Sequence, residues 1–393
     1  MIYLDNASTT QIDSAVFASM YPFLLRDYGN AGSLHAMGRK AYDAIQLARK
    51  QVADFINASP EQIIFTSGGT EANNMATNNF TDCLGGYPYI YCSAYEHDSV
   101  INSIPWDDEE FLIPVSRDGR VDLTKLIEIL EEADTLHGDK LISVMHTNNE
   151  LGTINPIPLI GELCHKYENI YFHTDCVQAA GFSPIDVEKF KCDFLTISSH
   201  KIHGPKGVGA LYIRKPDIDL PYGICRPLIY GGHSQEFGLR GGTENVAGIV
   251  GFGKACERAG AHLEENRYKI MSCVNAFSEA LEASLMASDI IDVLHYNTQT
   301  DEPTKVLNIR FDGVRAETLL MSLDAVGVYV SAGSACNASS GKPSHVLKAI
   351  GLTDDEARSS IRVSFSKNNT VEECQEAAKL TAYAVKTLLK IEE

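Results

Sequence analysis

Thr196-Ile-Ser-Ser-His-Lys-Ile-His-Gly-Pro205 decides how this chain is read. A short apolar run, Phe194 to Ile197, ends in two serines, a histidine and one lysine, and glycine and proline follow within four residues. The pattern predicts a buried strand that closes on a polar loop. A lysine at such a strand end does little for stability, because burying an ammonium is costly and lowers its pKa. A desolvated lysine is a good amine nucleophile, and the common use of one is a Schiff base. Most lysines are solvated loop residues, so Lys201 takes its meaning from what surrounds it.

Outward from this stretch, short apolar runs recur at Gln62–Thr66, Pro88–Ser93, Phe111–Val115, Leu141–His146, Ile170–His173 and Val208–Ile213. Helical spacing lies between several of them. Ala41, Ile45, Ala48, Val52 and Phe55 put a helix over residues 33–56, and Leu123–Glu132 and Pro158–Tyr167 read likewise. Strands alternating with helices predict an α/β fold, its mainly parallel central sheet covered on both faces, with catalytic groups on loops at the carboxyl ends of the strands. After about residue 250 the texture changes. A long helical stretch from roughly Asn245 to Ala287 is followed by strand-like Val306–Phe311 and Val326–Ser331, then a helix from Thr370 to Ile391. This predicts a smaller α+β domain. The expected division is a large domain over 13–250 and a small one formed by 1–12 with 251–393.

A chain of 393 residues exceeds what one core usually serves. A net charge of −19 and a pI near 5.0 argue against nucleic acid or an anionic membrane as the main partner. No apolar run approaches the ~20 residues of a membrane span. Met-Ile-Tyr-Leu-Asp5 has neither the basic nor the apolar region of a signal peptide. The ten cysteines lack CxxC pairs and fit reduced, mostly buried thiols in a cytoplasm. No zinc spacing appears and no metal site is expected; Cys164-His165 is a lone neighbour pair.

The chemistry-bearing groups fall at the ends of these runs. Ser67-Gly-Gly-Thr-Glu71 sits where a strand gives way to a helix, and such a turn offers free N–H groups and a positive dipole end to a phosphate. A plain N-cap by Ser67 or Thr70 is the bland alternative. His173-Thr-Asp-Cys-Val-Gln178 places Asp175 at a strand end, where it could form a turn or hold a proton on a pyridine nitrogen, as the carboxylate partner of a pyridoxal phosphate ring does. A phosphate turn, an aspartate and a lysine in that order are far more specific than any one of them. His97, in Tyr95-Glu-His97, could stack on an aromatic ring and shuttle protons. Arg362, in Ser360-Ile-Arg-Val-Ser-Phe365, suits a planar carboxylate if it points inward and is a snorkelling edge residue if it does not. Cys336 lies in Ala332-Gly-Ser-Ala-Cys-Asn-Ala-Ser-Ser-Gly341, a loop of small residues, whereas the other nine cysteines have bulky apolar neighbours. It is the thiol placed to react.

Together these motifs resemble the NifS/IscS-type cysteine desulfurases, pyridoxal-phosphate enzymes of fold type I in the class V aminotransferase superfamily. The likeness runs from Tyr3-Leu-Asp-Asn-Ala-Ser-Thr-Thr10 to the last helix. It takes in Ser67 to Asn74, Glu96-His97, Asn148-Asn-Glu-Leu-Gly152, His173 to Asp175 with Gln178, Ser199 to Gly207, Arg240-Gly-Gly-Thr-Glu-Asn245 and Gly333-Ser-Ala-Cys336. The resemblance implies that Lys201 bonds to the cofactor and later moves the substrate α-proton. It implies that His97 stacks on the ring, Asp175 pairs the ring nitrogen and Gln178 bonds the ring oxygen. The backbone at Gly69 and Thr70, with Ser198 and His200, then holds the phosphate, which Thr243 of a second subunit also reaches in a homodimer. Asn149 and Arg362 fix the carboxylate of L-cysteine. Cys336 takes the substrate sulfur as a persulfide, alanine leaves, and the sulfur passes to an acceptor protein of an iron–sulfur or thiolation pathway.

Three features depart from the family pattern. Asn337 stands where a small hydroxyl residue is usual, Gly341-Lys342 replaces an apolar-then-acidic stretch, and the sequence ends at Glu393, just after its last helix. They leave the catalytic assignments intact and the acceptor open. A selenocysteine lyase or another enzyme of the superfamily is the alternative, although Cys336 would have no task in an aminotransferase. A reading from another class is an inactive paralogue serving as an interaction platform, against which Lys201, Asp175 and Cys336 all count.

Overall fold

The short apolar runs assemble into one seven-stranded sheet. The structure, a computed structural model, describes residues 1–78, 80, 89–104, 111–215, 227–232, 235–299, 302–333 and 342–390. After a short β1 (Ile2–Tyr3) come β2 (Ile63–Thr66), β3 (Tyr89–Ser93), β4 (Leu112–Ile113), β5 (Lys140–Ser143), β6 (Ile170–Asp175), β7 (Phe194–Ser198) and β8 (Gly209–Ile213). The last seven lie side by side in the order β2-β8-β7-β6-β5-β3-β4. Only β8 runs against its neighbours, so the sheet is mainly parallel, as the sequence predicts.

Successive side chains of these strands point to opposite faces. Ile142, Leu195 and Tyr212 join one core with Ile45, Leu126, Ile160 and Phe252, which come from the helices Ala36–Ile56, Leu123–Asp134, Ile157–Cys164 and Val246–Ala261. Their neighbours Leu141, Phe194 and Leu211 join a second core on the other face with Met75 and Phe80. Burial on both faces is why the strands read as continuous apolar runs rather than as alternating ones. Strand order also reverses beside β3: β4 lies on one side of it, and β5, β6 and β7 follow on the other. The crevice at the carboxyl ends of strands around such a switch point is where ligands of open α/β sheets bind.

A separate core forms from β9 (Leu294–Tyr296), β10 (Val306–Phe311) and, beyond β11 (Val328–Tyr329), β12 (Ser360–Ser364). The order β12-β10-β9 is antiparallel throughout, and β11 pairs parallel with β1. Helices Leu263–Met286, Ala316–Ala325 and Val371–Leu388 cover this sheet, with Phe277 and Phe365 edge to face at 5.7 Å. The single helix expected over residues 245–287 is two, Val246–Ala261 and Leu263–Met286, broken at His262 (φ −118, ψ 20). Phe252, Ala255 and Cys256 of the first helix pack into the large core, while Ile270, Phe277 and Leu281 of the second pack into the separate one. The break lets each helix bury its own face. Phe252, Ala255 and Ala259 keep the large core going past residue 250. The N-terminal segment spans both cores: Leu4 is buried in the smaller, and Thr10 N–H donates to His200 O of the larger at 2.9 Å.

Candidate functional site

Four parallel strands end at one cavity of about 220 Å³, which Lys201, Asp175, His97 and Asn149 line together. Each follows the carboxyl end of its own strand: His97 after β3, Asn149 after β5, Asp175 on the last residue of β6, and Lys201 in the turn after β7. The remaining expected residues Gly69, Thr70, Gln178, Ser198, His200 and Arg362 line the same cavity. One expected residue is elsewhere in this chain. Thr243 is exposed and lies beside Arg240 and Glu244, in a depression that does not include Lys201. Cys336 lies outside the described residues.

The Lys201 ammonium donates to the carbonyls of Ala7 at 2.5 Å and Ser8 at 2.9 Å. Across the cavity the Asp175 carboxylate, 4% exposed, accepts from Val177 N–H on one oxygen and from Asn73 Nδ2 on the other, both at 2.8 Å. The same Asn73 amide donates to Ser99 Oγ at 2.9 Å, and Ser99 Oγ lies 2.8 Å from His97 Nδ1. Ser99 N–H donates to that nitrogen as well. An Nδ1 that accepts leaves the imidazole proton on Nε2. Asp175, Asn73, Ser99 and His97 thus form one polar chain along the cavity wall.

The glycine turn closes one end. Helix Gly69–Asn78 begins with its free N–H groups at the cavity, and a side chain on Gly69 would bring Cβ to 3.0 Å from Val177 Cγ2. Ser198 Oγ is buried there without a partner. His200 hydrogen-bonds Thr9 Oγ1 through Nδ1, and burial, reinforced by the charges of Lys201 and Lys206, pushes it down to about 4. It is a neutral imidazole at physiological pH. This end therefore offers N–H and O–H groups to an anion.

Arg362 closes the other end. It is 2% exposed, so it points inward and does not snorkel. Its guanidinium donates to Asp5 Oδ1 at 2.9 Å, Ser8 Oγ at 2.7 Å and Asn149 O at 3.0 Å. Asn149 Oδ1 and Arg362 Nε are buried without partners. Both stalks of the segment that carries Cys336 start beside this end. Ser331 exchanges backbone hydrogen bonds with Arg362, and His345 Nε2 bonds Glu96 O at 2.9 Å, one residue before His97.

Sequence reasoning missed Asn73, Ser99, Asp5, Ser8 and Glu96. Asn73 and Asp5 stood inside quoted motifs, but nothing local says that one will hold an aspartate 102 positions away and the other an arginine 357 positions away. Glu96 is fully buried, and Ser93 Oγ (2.5 Å) and Met145 N–H (2.6 Å) both donate to its Oε1. Burial raises its carboxyl to about 8 against those two hydrogen bonds, with the Asp175 charge adding to the rise. It is a protonated, structural acid near neutrality.

The sequence profile of the aminotransferase class-V family matches residues 2–376. Cysteine desulfurase IscS of Methanosarcina thermophila is 40% identical over 395 residues, spanning 98% of this chain and 92% of that protein. Among solved structures, the NifS-like protein of Rickettsia africae superposes with a TM-score of 0.83 at 33% identity, covering all of both chains (100% of each). SspA in complex with cysteine gives 0.73 at 33% identity, over 93% of this chain and 99% of the other.

Proposed function

The chain belongs to the aminotransferase class-V family and is a pyridoxal-phosphate-dependent cysteine desulfurase, and on that premise we propose that the cavity at the ends of β3, β5, β6 and β7 is its active site. The observation that carries this reading is the cavity that places Lys201 together with the Asp175–Asn73–Ser99–His97 chain, between an anion-binding turn and a buried arginine.

The residues fit the cofactor. Unpartnered Ser198 Oγ and the first N–H groups of helix Gly69–Asn78 suit its phosphate, with His200 beside them. Asp175 suits the ring nitrogen, Gln178 the ring oxygen and His97 the ring face. When bound, pyridoxal phosphate supplies the electron sink for charge left on the substrate α-carbon. This chain's residues do the rest. Asp175, whose two oxygens accept from Asn73 Nδ2 and Val177 N–H, would hold the proton on the ring nitrogen. Lys201 would carry the cofactor, and its amine is the base placed to remove the α-proton. Arg362 and Asn149 bind the substrate carboxylate, with the guanidinium pre-oriented by Asp5 and Ser8. The Cys336 thiolate attacks the substrate sulfur. The Cβ–S bond breaks, a persulfide S–S bond forms on Cys336, and the electron pair left on Cβ takes a proton to give alanine. The stalks at Ser331 and His345 support a thiol that reaches this site.

The enzyme is further read as a homodimer in which the partner subunit's Thr243 completes the phosphate site. Large apolar side chains exposed on the first two helices, among them Phe17, Tyr21, Leu24, Tyr42 and Leu47, support a protein interface there. A cytoplasmic location is supported by seven free, buried cysteines among the described residues. No described helix is long and apolar enough to cross a membrane. The persulfide is passed to an acceptor protein serving iron–sulfur clusters or thiolation. Incubating the purified protein with L-cysteine tests the reading. Alanine should appear with one persulfide per active site, and no alanine above the cofactor-free background would overturn it. Full activity in a monomer would overturn the shared phosphate site.

A further inference from the structure

Lys201 has a second side. Behind it lies a separate cavity of about 30 Å³, and the ionisable groups that line it are Asp13, Lys201, His203, Arg258, Lys305 and Lys367. Four of these are cationic side chains and one is a carboxylate. His203 is pushed down to about 4, chiefly by burial, and is neutral. The carboxylate is already committed: Asp13 accepts from Arg258 Nε at 3.1 Å, Lys367 Nζ at 2.8 Å and Ala15 N–H at 2.9 Å. Burial would raise its carboxyl, but these partners hold it well below the usual range. Lys305 is left over. It is 8% exposed, and among the described residues its ammonium has no hydrogen-bond or ion-pair partner. A buried, unpaired ammonium is among the most costly groups a fold can hold.

We propose that this cavity binds one small monovalent inorganic anion of halide size, seated against the Lys305 ammonium and close enough to Lys201 for the two to interact. The volume is room for two or three water-sized particles, by the ~10–15 Å³ that a single water needs, and so for one larger halide. An anion there supplies the counter-charge the pocket lacks. Without it, burial and the Lys201 charge push Lys305 down to about 7. On its other side Lys201 faces Asp175, His97, His200 and Arg362, the last already paired with Asp5. The anion therefore acts on Lys201 from a side where, among the described residues, cations stand without a spare carboxylate.

Bromide is the probe. Crystals of the holoenzyme grown in sodium bromide should show an anomalous peak within hydrogen-bonding distance of Lys305 Nζ, and Lys305→Met crystals should lack it. In solution, exchanging gluconate for bromide at constant ionic strength should raise the pH midpoint of the bound cofactor's visible band by about 1 unit in the wild type, the scale of one neighbouring charge. Lys305→Met should show no such bromide dependence. Water alone in the wild-type cavity, an adventitious ion only (a peak that persists in Lys305→Met), or equal midpoint shifts in both proteins would overturn the proposal. If Lys305→Met does not fold, the wild-type peak and Lys305→Gln decide. The crystallographic arm does not depend on the role given to Lys201; only the absorbance arm rests on that reading, so the two can fail separately.

Discussion

Asn73 Nδ2 stands 2.8 Å from Asp175 Oδ2 and 2.9 Å from Ser99 Oγ, so one side-chain amide ties the carboxylate to the hydroxyl that orients His97. Both amide protons are used, and the amide is 1% exposed. Asn73 is thereby a positioning residue for both side chains.

Asn73→Ala should therefore disturb both groups at once. A hydrogen bond to a charged group contributes about 1.5–3 kcal/mol, so turnover should fall by roughly 10- to 100-fold. Asp175→Ala removes the charge itself and should cost several orders of magnitude. Steady-state alanine release measures both. An Asp175→Ala loss below about tenfold, or ~1.4 kcal/mol, would mean that another carboxylate faces the ring.

Lys201→Ala should lose the covalent cofactor link and all turnover. Its ammonium donates to the carbonyls of Ala7 and Ser8 in the N-terminal segment. Borohydride reduction followed by peptide mass spectrometry reads the result. A reduced cofactor still attached to protein in the variant would reassign the lysine.

Glu96 makes stability depend on pH. Its folded pKa of about 8 lies above the ordinary 4.5, so between those values the folded chain binds more protons than the unfolded one. Stability contributed by the protonated form is then complete below about 4.5, is lost progressively as pH rises through this window, and levels off above 8. The slope from this one group is at most ~1.4 kcal/mol per pH unit. Glu96→Gln keeps the oxygen that accepts from Ser93 and Met145 and cannot ionise. It should match the wild type in thermal midpoint near pH 5 and exceed it at pH 9. Parallel melting curves for the two proteins across that range would remove Glu96 as the cause.

The strand ends were readable because each combines a local apolar run with a residue type that has no stabilising use there. Phe194 to Lys201 and Ile170 to Asp175 show this directly, and the structure puts both where the sequence does. The second layer was not readable. Asn73, Asp5 and Ser8 act through partners far along the chain, and polar pairing across such distances leaves no period in the sequence. Lys305 looked like any lysine preceding a strand, since the cavity it lines is closed in part by residues 180–203, more than a hundred positions away. The break at His262 had no proline to announce it. It follows from which core each half-helix meets, a property of the assembled fold.

Cys336 is separable from the cofactor chemistry, and that makes its role decidable. The seven described cysteines are all buried, and burial pushes up the thiols of Cys92, Cys164, Cys176, Cys192 and Cys256, so they are poor nucleophiles. The described residues that line the cavity around Lys201 and suit the cofactor are Gly69, Thr70, His97, Asp175, Gln178, Ser198 and His200, none of them a thiol. Cys336→Ala should bind pyridoxal phosphate with the wild-type spectrum and still bind L-cysteine, yet make no persulfide and release almost no alanine. Wild-type protein exposed briefly to L-cysteine should gain one sulfur on the peptide that holds Cys336. Selenocysteine turnover, if the wild type shows it, should survive in part in the variant, because selenium leaves without help from a thiolate. That sulfur found on a different cysteine, or near-normal alanine release by Cys336→Ala, would place the nucleophile elsewhere and undo the sulfur-transfer step.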